Sequence, residues 1–363
     1  MRLFLCGDVM TGRGIDQIMP RSCDPMLYES CVRSAIDYVQ LAERRSGAIP
    51  RRAPFDYIWG DALDALDQHQ PDFRIINLET SITDRGTPEP KGINYRMHPA
   101  NVGCITAAKI DCCVLANNHV MDWGVESLKD TLSTLQRGGI ATAGAGSCAE
   151  EAALPAVLSK ASQRLLVYAF AGPSSGVPGG WSAETLRPGV NFLADFGAGS
   201  LSRVADSINL TRRPGDVVLV SLHWGANWSY DIPAEHRIFA HGLIDKAQVD
   251  VIHGHSSHHP LAMEIHGDRP IFYGCGDFIN DYEGISGHEA FQPDLALAYL
   301  VDLDDENHKI LGIEMMAYRR QRFKLVSASR EEVSWLGIVL DRECRQFGHR
   351  VHSRDANELV LST

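Results

Sequence analysis

The chain has 363 residues, of which 44% are hydrophobic, and this is enough for one large or two medium domains with a sizeable core. The formal net charge of -12, from 34 basic and 46 acidic residues, argues against nucleic acid or an anionic membrane surface as the main partner. No run approaches the ~18 consecutive apolar residues of a membrane span, and the opening MRLFLCGDV turns polar too soon for a signal peptide, so we expect a cytoplasmic protein.

Short apolar, β-branched runs alternate with helix-length segments along the chain. The predicted strands are RLFLCGDV, FRIINLET, CCVLANNH, LLVYAFAG, DVVLVSLHWG, DVIHGH and PIFYGCGDF. Between most of them lie segments whose apolar residues recur every three to four positions, which predicts helices. These segments are PFDYIWGDALDALDQ, GVESLKDTLSTLQRGG, LSRVADSINLTRR and PAEHRIFAHGLIDKA. The alternation is typical of a layered α/β fold.

Two segments depart from this alternation. Residues 19–54 contain a predicted helix, LYESCVRSAIDYVQLAERR, and the basic, proline-containing loop SGAIPRRAP. We interpret them as a helical and basic insertion that covers or lines a site, the alternative being a simple surface insertion. Residues 295–363 begin with LALAYLVDL and ILGIEMMAYRR, which the polar turn DDENH joins into a predicted hairpin, and continue into a helix. No linker or repeat divides the chain, so we expect a single domain over residues 1–363.

Side chains that can ligate a metal follow almost every predicted strand. They are Asp8, Asn77, Glu79, Asn118, His119, His223, His253, His255, His258, His259 and Asp277. An open α/β sheet gathers a site along the edge where the carboxyl ends of its strands lie. Neutral imidazole, carboxylate and amide oxygen suit Zn²⁺, Mn²⁺ or Fe²⁺, so the cluster predicts one or two divalent ions, two of which would share a carboxylate.

Each of these motifs also has a purely structural interpretation. The stretch LANNHVMDWG would equally form an Asn-rich turn that caps the next helix. The four histidines of HGHSSHHP would equally form a polar loop. Among these four, we expect His255 and His258 to be the ligands.

Six motifs occur in a fixed order between about Leu3 and Asp302. They are GDVMTGR, NLETSIT, LANNHVMDWG, HWGANW, GHSSHH and YGCGDFINDYEG. In this order they resemble the CapA family, named for poly-γ-glutamate capsule synthesis, within the calcineurin-like metallophosphatase superfamily. The resemblance implies a four-layer α/β/β/α sandwich with a metal centre at the strand ends.

The resemblance implies six metal ligands, which are Asp8, Glu79, Asn118, His223, His255 and His258. Asp8 would serve one metal, and Glu79 stands where the superfamily has its bridging aspartate. Asn118 and His223 would hold the second metal, and the two histidines at the ends of HSSH would serve one metal each. His119 would correspond to the acid that protonates the leaving group or stabilises the transition state.

The sequence departs from the superfamily pattern in three places. The usual Asp-x-His opening is here Asp8-Val9-Met10, so that one histidine ligand of the first metal is absent. The bridging aspartate is the longer Glu79, and the closing Gly-His-x-His is stretched to Gly-His-x-x-His. The absent histidine favours an alternative in which the protein does not catalyse a reaction.

Cationic and aromatic side chains near these motifs predict contacts with an anionic substrate. They are Arg13, Lys91, Tyr95 and Arg96. Arg and Lys bind carboxylate or phosphate through charge-assisted hydrogen bonds, the alternative being a solvated surface loop. Asp122 is expected to steady its turn, and Asp277 to orient a ligand histidine.

The combined pattern predicts a metal-dependent hydrolase of the CapA type. Its substrate would be an anionic small molecule or polymer, such as a γ-glutamyl amide or a phosphoester. The alternative is a non-catalytic metal-binding component of a polymer-synthesis complex. In both cases we expect neither a nucleic-acid partner nor a membrane span, and the sequence does not specify the oligomeric state.

Overall fold

The computed structural model describes residues 1–362, and Thr363, the last residue of the predicted C-terminal segment, lies outside the described residues. Within residues 1–362 the chain forms nine α-helices and twenty β-strands. The helices are α1 (Arg13–Ile18), α2 (Ala35–Ser46), α3 (Ala62–His69), α4 (Gly103–Ala107), α5 (Val125–Arg137), α6 (Ala149–Ala153), α7 (Ala198–Thr211), α8 (Ala234–Ala247) and α9 (Arg330–Cys344). The first ten strands are β1 (Arg2–Val9), β2 (Phe73–Leu78), β3 (Ser81–Ile82), β4 (Arg96–Met97), β5 (Cys112–Val114), β6 (Ala141–Ala143), β7 (Ala145–Gly146), β8 (Ala156–Lys160), β9 (Gln163–Ala171) and β10 (Gly189–Val190). The remaining strands are β11 (Asp216–His223), β12 (Val251–His255), β13 (Met263–His266), β14 (Arg269–Phe272), β15 (Asp277–Ile279), β16 (Leu295–Leu303), β17 (Ile310–Gln321), β18 (Lys324–Ser327), β19 (Arg350–Asp355) and β20 (Glu358–Ser362).

The larger sheet has ten strands, eight of them in the order β19-β20-β17-β16-β1-β2-β5-β6. In addition, β15 pairs with β1, and β18 pairs with β17. Strands β1, β2, β5 and β6 run parallel, and β15 is also parallel to β1. The parallel strands of a sheet are buried on both faces, so their sequences are nearly continuous apolar runs. Strand β1 fits this description, because every residue from Leu3 to Val9 is buried.

The smaller sheet has six strands in the order β13-β14-β12-β11-β9-β8, of which β9, β11, β12 and β14 are parallel. Side chains of β9 alternate between two environments. Leu165 and Val167 join the hydrophobic cluster that also contains β1 and β16, whereas Leu166 and Tyr168 pack with helices α7 and α8. The alternation follows from the two-residue period of a strand, which turns successive side chains to opposite faces.

The two sheets contact each other through their inner faces. The ring of Phe272 on β14 lies 5.0 Å from that of Tyr299 on β16. Nε2 of His253 on β12 donates a hydrogen bond of 2.8 Å to the carbonyl oxygen of Cys6 on β1. The predicted α/β class is confirmed.

One predicted helix is shorter than expected. It was predicted to begin at Leu27, but α2 begins at Ala35. The backbone N–H of Leu27 instead donates to the carbonyl of Arg33, which closes a loop. Ser34 then caps the helix by accepting a hydrogen bond of 3.3 Å from the N–H of Ile36. The apolar spacing therefore begins upstream of the true start of the helix, where Ser34 forms the cap.

The predicted hairpin is confirmed, since β16 and β17 pair in antiparallel register from Leu295 opposite Arg319. After α9 the chain adds a further antiparallel hairpin, β19–β20, which the sequence did not predict. No helix within residues 1–362 is both long enough and apolar enough to cross a membrane.

Candidate metal centre

The carboxyl ends of parallel strands bring most of the predicted ligands to one place. Asp8 on β1 is in register with Asn77 on β2 and with Asp277 on β15. In the other sheet, His223 at the end of β11 is in register with His255 at the end of β12. All five side chains are buried. The two sheets therefore present their polar strand ends to a common interior.

A glycine permits the close approach of β1 and β15. A Cβ added at Gly7 would lie 1.6 Å from the carbonyl oxygen of Gly276, a distance that no side chain tolerates. The N–H of Asp8 donates to this same carbonyl at 3.0 Å. Because the two backbones touch here, Asp8 and Asp277 lie side by side.

Two triads of possible metal ligands result, and one carboxylate belongs to both. The first triad is Asp8, His223 and His255, and the second is Asp8, His258 and Asp277. Within each triad the ligand atoms lie within 4.8 Å of one another. Imidazole and carboxylate together suit Zn²⁺, Mn²⁺ or Fe²⁺. The clusters are thus possible sites for two cations that share Asp8.

Asp8 and Glu79 are buried carboxylates without a Lys or Arg partner in the described part of the chain. Asp8 accepts hydrogen bonds from Nδ2 of Asn77 at 2.7 Å and from the N–H of Ser256 at 3.2 Å, and the same Asn77 amide donates to Glu79 at 3.3 Å. Within residues 1–362, no Lys or Arg nitrogen lies within 4.0 Å of a carboxylate oxygen of Asp8 or Glu79. Burial raises the pKa of Asp8, and the Asp277 carboxylate raises it further. Burial and then Asp8 raise the pKa of Glu79. Buried charges are paired or coordinate metals, so this donor set fits divalent cations.

The two histidines of the first triad are in direct contact. Nδ1 of His223 lies 2.7 Å from Nδ1 of His255, and Nε2 of His255 lies 2.8 Å from the hydroxyl of Ser221. Nε2 of His223 lies 3.0 Å from Oδ1 of Asn118, the residue that the resemblance assigned to the same metal. Burial lowers the pKa of both imidazoles well below the usual value. They are therefore neutral at physiological pH, which is the form that binds metals.

His119 is held by a carboxylate on one side of its ring. Nδ1 of His119 lies 2.6 Å from Oδ2 of Asp122, while Nε2 lies 3.8 Å from Oε1 of Glu79. The ring of Tyr95 packs edge-on against it at 4.6 Å. Burial lowers the pKa of His119 to about 4. With Nδ1–H directed at Asp122, the free nitrogen Nε2 is the one that faces the carboxylate cluster. Asp122 therefore orients His119 in addition to closing the turn.

Of the four predicted substrate-binding residues, the structure brings one to the cavity beside His119. This cavity has a volume of about 280 Å³ and is lined by Glu79, Lys91, Ile93, Asn118, His119, Gly176, Asn227, Ser256, His258 and Tyr282. Nζ of Lys91 donates to Oδ1 of Asp122 at 2.7 Å and to the carbonyl of Asn118. Part of its charge is therefore neutralised by a residue of the site.

The other three predicted substrate contacts have protein partners instead. Tyr95 is buried, and its hydroxyl bonds that of Tyr282 at 3.0 Å. The guanidinium of Arg96 stacks on Trp123 at 3.7 Å. Arg13, whose side chain is 2% exposed, is paired with two buried carboxylates. None of the three lines the cavity beside His119.

Two asparagines outside the six predicted metal ligands hydrogen-bond to residues of the site. Nδ2 of Asn117 donates to Oδ1 of Asn77 at 2.9 Å, and Asn77 in turn donates to Asp8. Oδ1 of Asn117 accepts the backbone N–H groups of His119 and Val120. The position of Asn77 at a strand end predicted its place near the site. The hydrogen bond from Asn117 to Asn77 could not be predicted in this way, because it depends on the packing of β2 against the loop after β5.

Comparisons with known proteins give a consistent set of relatives. The family model described as "Bacterial capsule synthesis protein PGA_cap" matches residues 2–282. A probable polyglutamine synthesis accessory protein of Mycobacterium tuberculosis (strain H37Rv) is 43% identical over 364 residues, covering 99% of this chain and 95% of that protein. The PGA biosynthesis protein CapA of Bacillus subtilis (strain 168) is 30% identical over 166 residues, 46% of this chain and 41% of that protein.

More distant matches also occur. The capsule biosynthesis protein CapA of Bacillus anthracis is 24% identical over 192 residues, 53% of this chain and 45% of that protein. A solved structure described as GAP50, the anchor in the inner membrane complex of Plasmodium, is 9% identical and covers 90% of this chain and 87% of that chain. Its TM-score of 0.33 is too low to bear on the fold.

Proposed function

This chain belongs to the bacterial capsule synthesis protein PGA_cap family, and on that basis we propose that it is a metal-dependent hydrolase acting on an anionic substrate in glutamyl-polymer synthesis. The observation that carries the proposal is the pair of triads that share Asp8, with His119 and Asp122 beside them. The polymer is suggested by the relatives, which are named for polyglutamine synthesis, PGA biosynthesis and capsule biosynthesis.

In this proposal the first triad, together with Asn118 and Glu79, would hold one cation, and the second triad would hold the other. Asp277 would then be a direct ligand, in the place of the histidine that Met10 replaces. Its support is the register that sets Asp277 beside Asp8. Bound divalent cations would polarise a carbonyl or phosphoryl oxygen of the substrate and lower the pKa of water.

His119 would move the proton that the reaction requires. Its hydrogen bond to Asp122 occupies Nδ1, so the free Nε2 would take the proton that the attacking water releases and pass it to the leaving group. The Asp122 carboxylate would stabilise the imidazolium while the proton resides there. Tyr95, packed on the ring, would keep Nε2 aimed at the cavity.

The substrate would approach along two adjoining cavities. Lys91 is the one Lys or Arg among residues 1–362 that lines the cavity beside His119. It also lines a neighbouring cavity of about 480 Å³, which extends to Trp181 and Arg187. An anionic chain would pass over the Lys91 ammonium, with its next carboxylate directed toward the guanidinium of Arg187.

The arrangement of the sheets and helices in layers is part of the same proposal. We propose that residues 1–363 form one domain with the four-layer α/β/β/α arrangement of the metallophosphatases. The support is the contact between the two sheets through Phe272 and Tyr299, together with the packing of α7 and α8 on the far side of the smaller sheet.

Replacing His119 by Asn is expected to lower turnover by ~10²–10⁴-fold, the usual contribution of a positioned proton-transfer group. Metal content should remain that of the wild type, because His119 belongs to neither triad. Turnover would be measured with γ-glutamyl anilide, p-nitrophenyl phosphate and bis-p-nitrophenyl phosphate in the presence of Mn²⁺ or Zn²⁺. The matched control is His352→Asn, at an exposed histidine on β19.

Undiminished turnover by His119→Asn would remove His119 from the mechanism while leaving the metal centre in place. If the metal-loaded wild type turned over none of the three compounds, the non-catalytic alternative would gain support. The protein would then be a metal-binding component of a polymer-synthesis complex.

A further inference from the structure

A second group of metal-ligating side chains lies outside the candidate centre. His241 belongs to helix α8, and Glu264 and His266 belong to strand β13. One ligand atom from each lies within 4.8 Å of the others. Residues two apart on a strand project from the same face, which is why Glu264 and His266 both meet the helix.

Neighbouring groups orient these side chains. The hydroxyl of Tyr273 donates to Oε2 of Glu264 at 2.7 Å, which leaves Oε1 directed at Nε2 of His241, 2.9 Å away. Nε2 of His266 lies 2.9 Å from Oδ1 of Asp245, one helical turn after His241. The two imidazole rings stack at 3.9 Å with an angle of 6° between their planes. Two imidazoles and the Glu264 carboxylate thus surround one small volume, and Asp245 contacts His266 beside it.

From this arrangement we propose that His241, Glu264 and His266, with His266 oriented by Asp245, form a peripheral Zn²⁺ site that is separate from the strand-end centre, the two triads that share Asp8. Two histidines with one or two carboxylates are a donor set that Zn²⁺ accepts, with water completing the coordination. Oriented outer partners such as the Tyr273 hydroxyl are typical of metal sites. The side chains of His241 and His266 are each 28% exposed, so the ion exchanges directly with solvent.

The position of the site gives it a structural consequence. β13 is an edge strand of the smaller sheet, paired only with β14. The same sheet carries His223 and His255 on β11 and β12. A Zn²⁺ ion shared by α8 and β13 would tie the edge strand to the helix that covers the sheet. It would stabilise the folded state by an amount that grows with the logarithm of the free Zn²⁺ concentration above the dissociation constant.

The test is Zn²⁺ titration of the full chain after removal of metals by a chelator. It uses a background variant, Asp8→Asn with His223→Gln, which lacks ligands of the strand-end centre. We expect this background to bind one equivalent of Zn²⁺ and to melt at a higher temperature when Zn²⁺ is present. Addition of His241→Ala and His266→Ala should abolish both effects, whereas addition of His352→Ala should leave them unchanged.

A background variant that binds no Zn²⁺, or one whose bound Zn²⁺ survives His241→Ala with His266→Ala, would overturn the proposal. If the background variant does not fold, the same comparison is made in the wild-type chain. There the two alanine substitutions should remove one equivalent of Zn²⁺, and equal stoichiometry would count against the site. Because these residues lie outside the strand-end centre, failure here leaves the proposed hydrolase intact.

Discussion

Asp8→Asn is expected to remove metal from both triads at once, because Asp8 is the one residue that they share. His255→Gln and Asp277→Asn should each weaken one triad and leave the other able to bind. Loss of an outer-sphere partner alone lowers metal affinity by ~10–100-fold, so loss of a shared ligand should exceed that range. Metal content of each variant would be measured by inductively coupled plasma mass spectrometry after reconstitution with Mn²⁺ or Zn²⁺.

The matched control is Asp16→Asn, which also removes a fully buried carboxylate. Asp16 accepts hydrogen bonds from the N–H groups of Cys23 and His98 and belongs to neither triad. Its metal content should equal that of the wild type. Full metal content in Asp8→Asn, or a loss no larger than in His255→Gln, would contradict the shared position. A wild type that takes up no metal at this centre would refute the metal-dependent function itself.

Arg13→Met is expected to lower the free energy of unfolding by ~3–5 kcal/mol, the usual result of removing one partner from a buried ion pair. The guanidinium of Arg13 bonds both carboxylate oxygens of Asp281, at 2.5 and 3.1 Å, and lies 2.9 Å from Glu29. It also stacks over the rings of Tyr38 and Tyr95 at 4.0 and 4.5 Å. Without the guanidinium, two buried carboxylates would have no counterion. Urea denaturation followed by tryptophan fluorescence would measure the change.

The control for this prediction is Arg85→Met, which breaks an Arg–Asp pair on the surface. Arg85 bonds Asp130 at 2.6 Å, but its side chain is 63% exposed. Exposed pairs contribute little, because water and salt screen them, so this variant should denature at nearly the same urea concentration as the wild type. Equal denaturation midpoints for Arg13→Met and Arg85→Met would show that the buried ion pairs of Arg13 stabilise the fold no more than an exposed pair does.

Much of the candidate centre could be predicted from local patterns. The motifs identified the family, and the match to the PGA_cap family model confirms the resemblance. Polar residues after apolar runs also predicted which side chains would meet. Asp8, His223 and His255 do lie together, and Asn118 lies against His223. The reason is physical. The carboxyl ends of parallel strands in one sheet lie at the same edge, so the residues that follow each strand can be placed at that edge without knowing the order of the strands.

The predicted substrate contacts stay predictions, and two of them show that a positive charge near a site in sequence does not reveal its partner. Arg13 follows Asp8 by five positions, yet its charge is taken by Asp281, which lies 268 positions further along the chain. Lys91 reaches the cavity, but Asp122 accepts its hydrogen bond there. Both outcomes depend on loops that the strand and helix pattern does not place.

The sequence by itself determined the α/β class, the family and which polar residues follow the strands, since each depends on a local period or a short motif. The tertiary structure alone decided that Asp8 serves two triads, because the approach of Gly7 to Gly276 sets β1 beside β15. It likewise brought His241 to Glu264 and His266 across the boundary between a helix and an edge strand. The register between distant strands and the packing of a helix on a sheet depend on many contacts between residues far apart in sequence. A local pattern of residues therefore does not predict them.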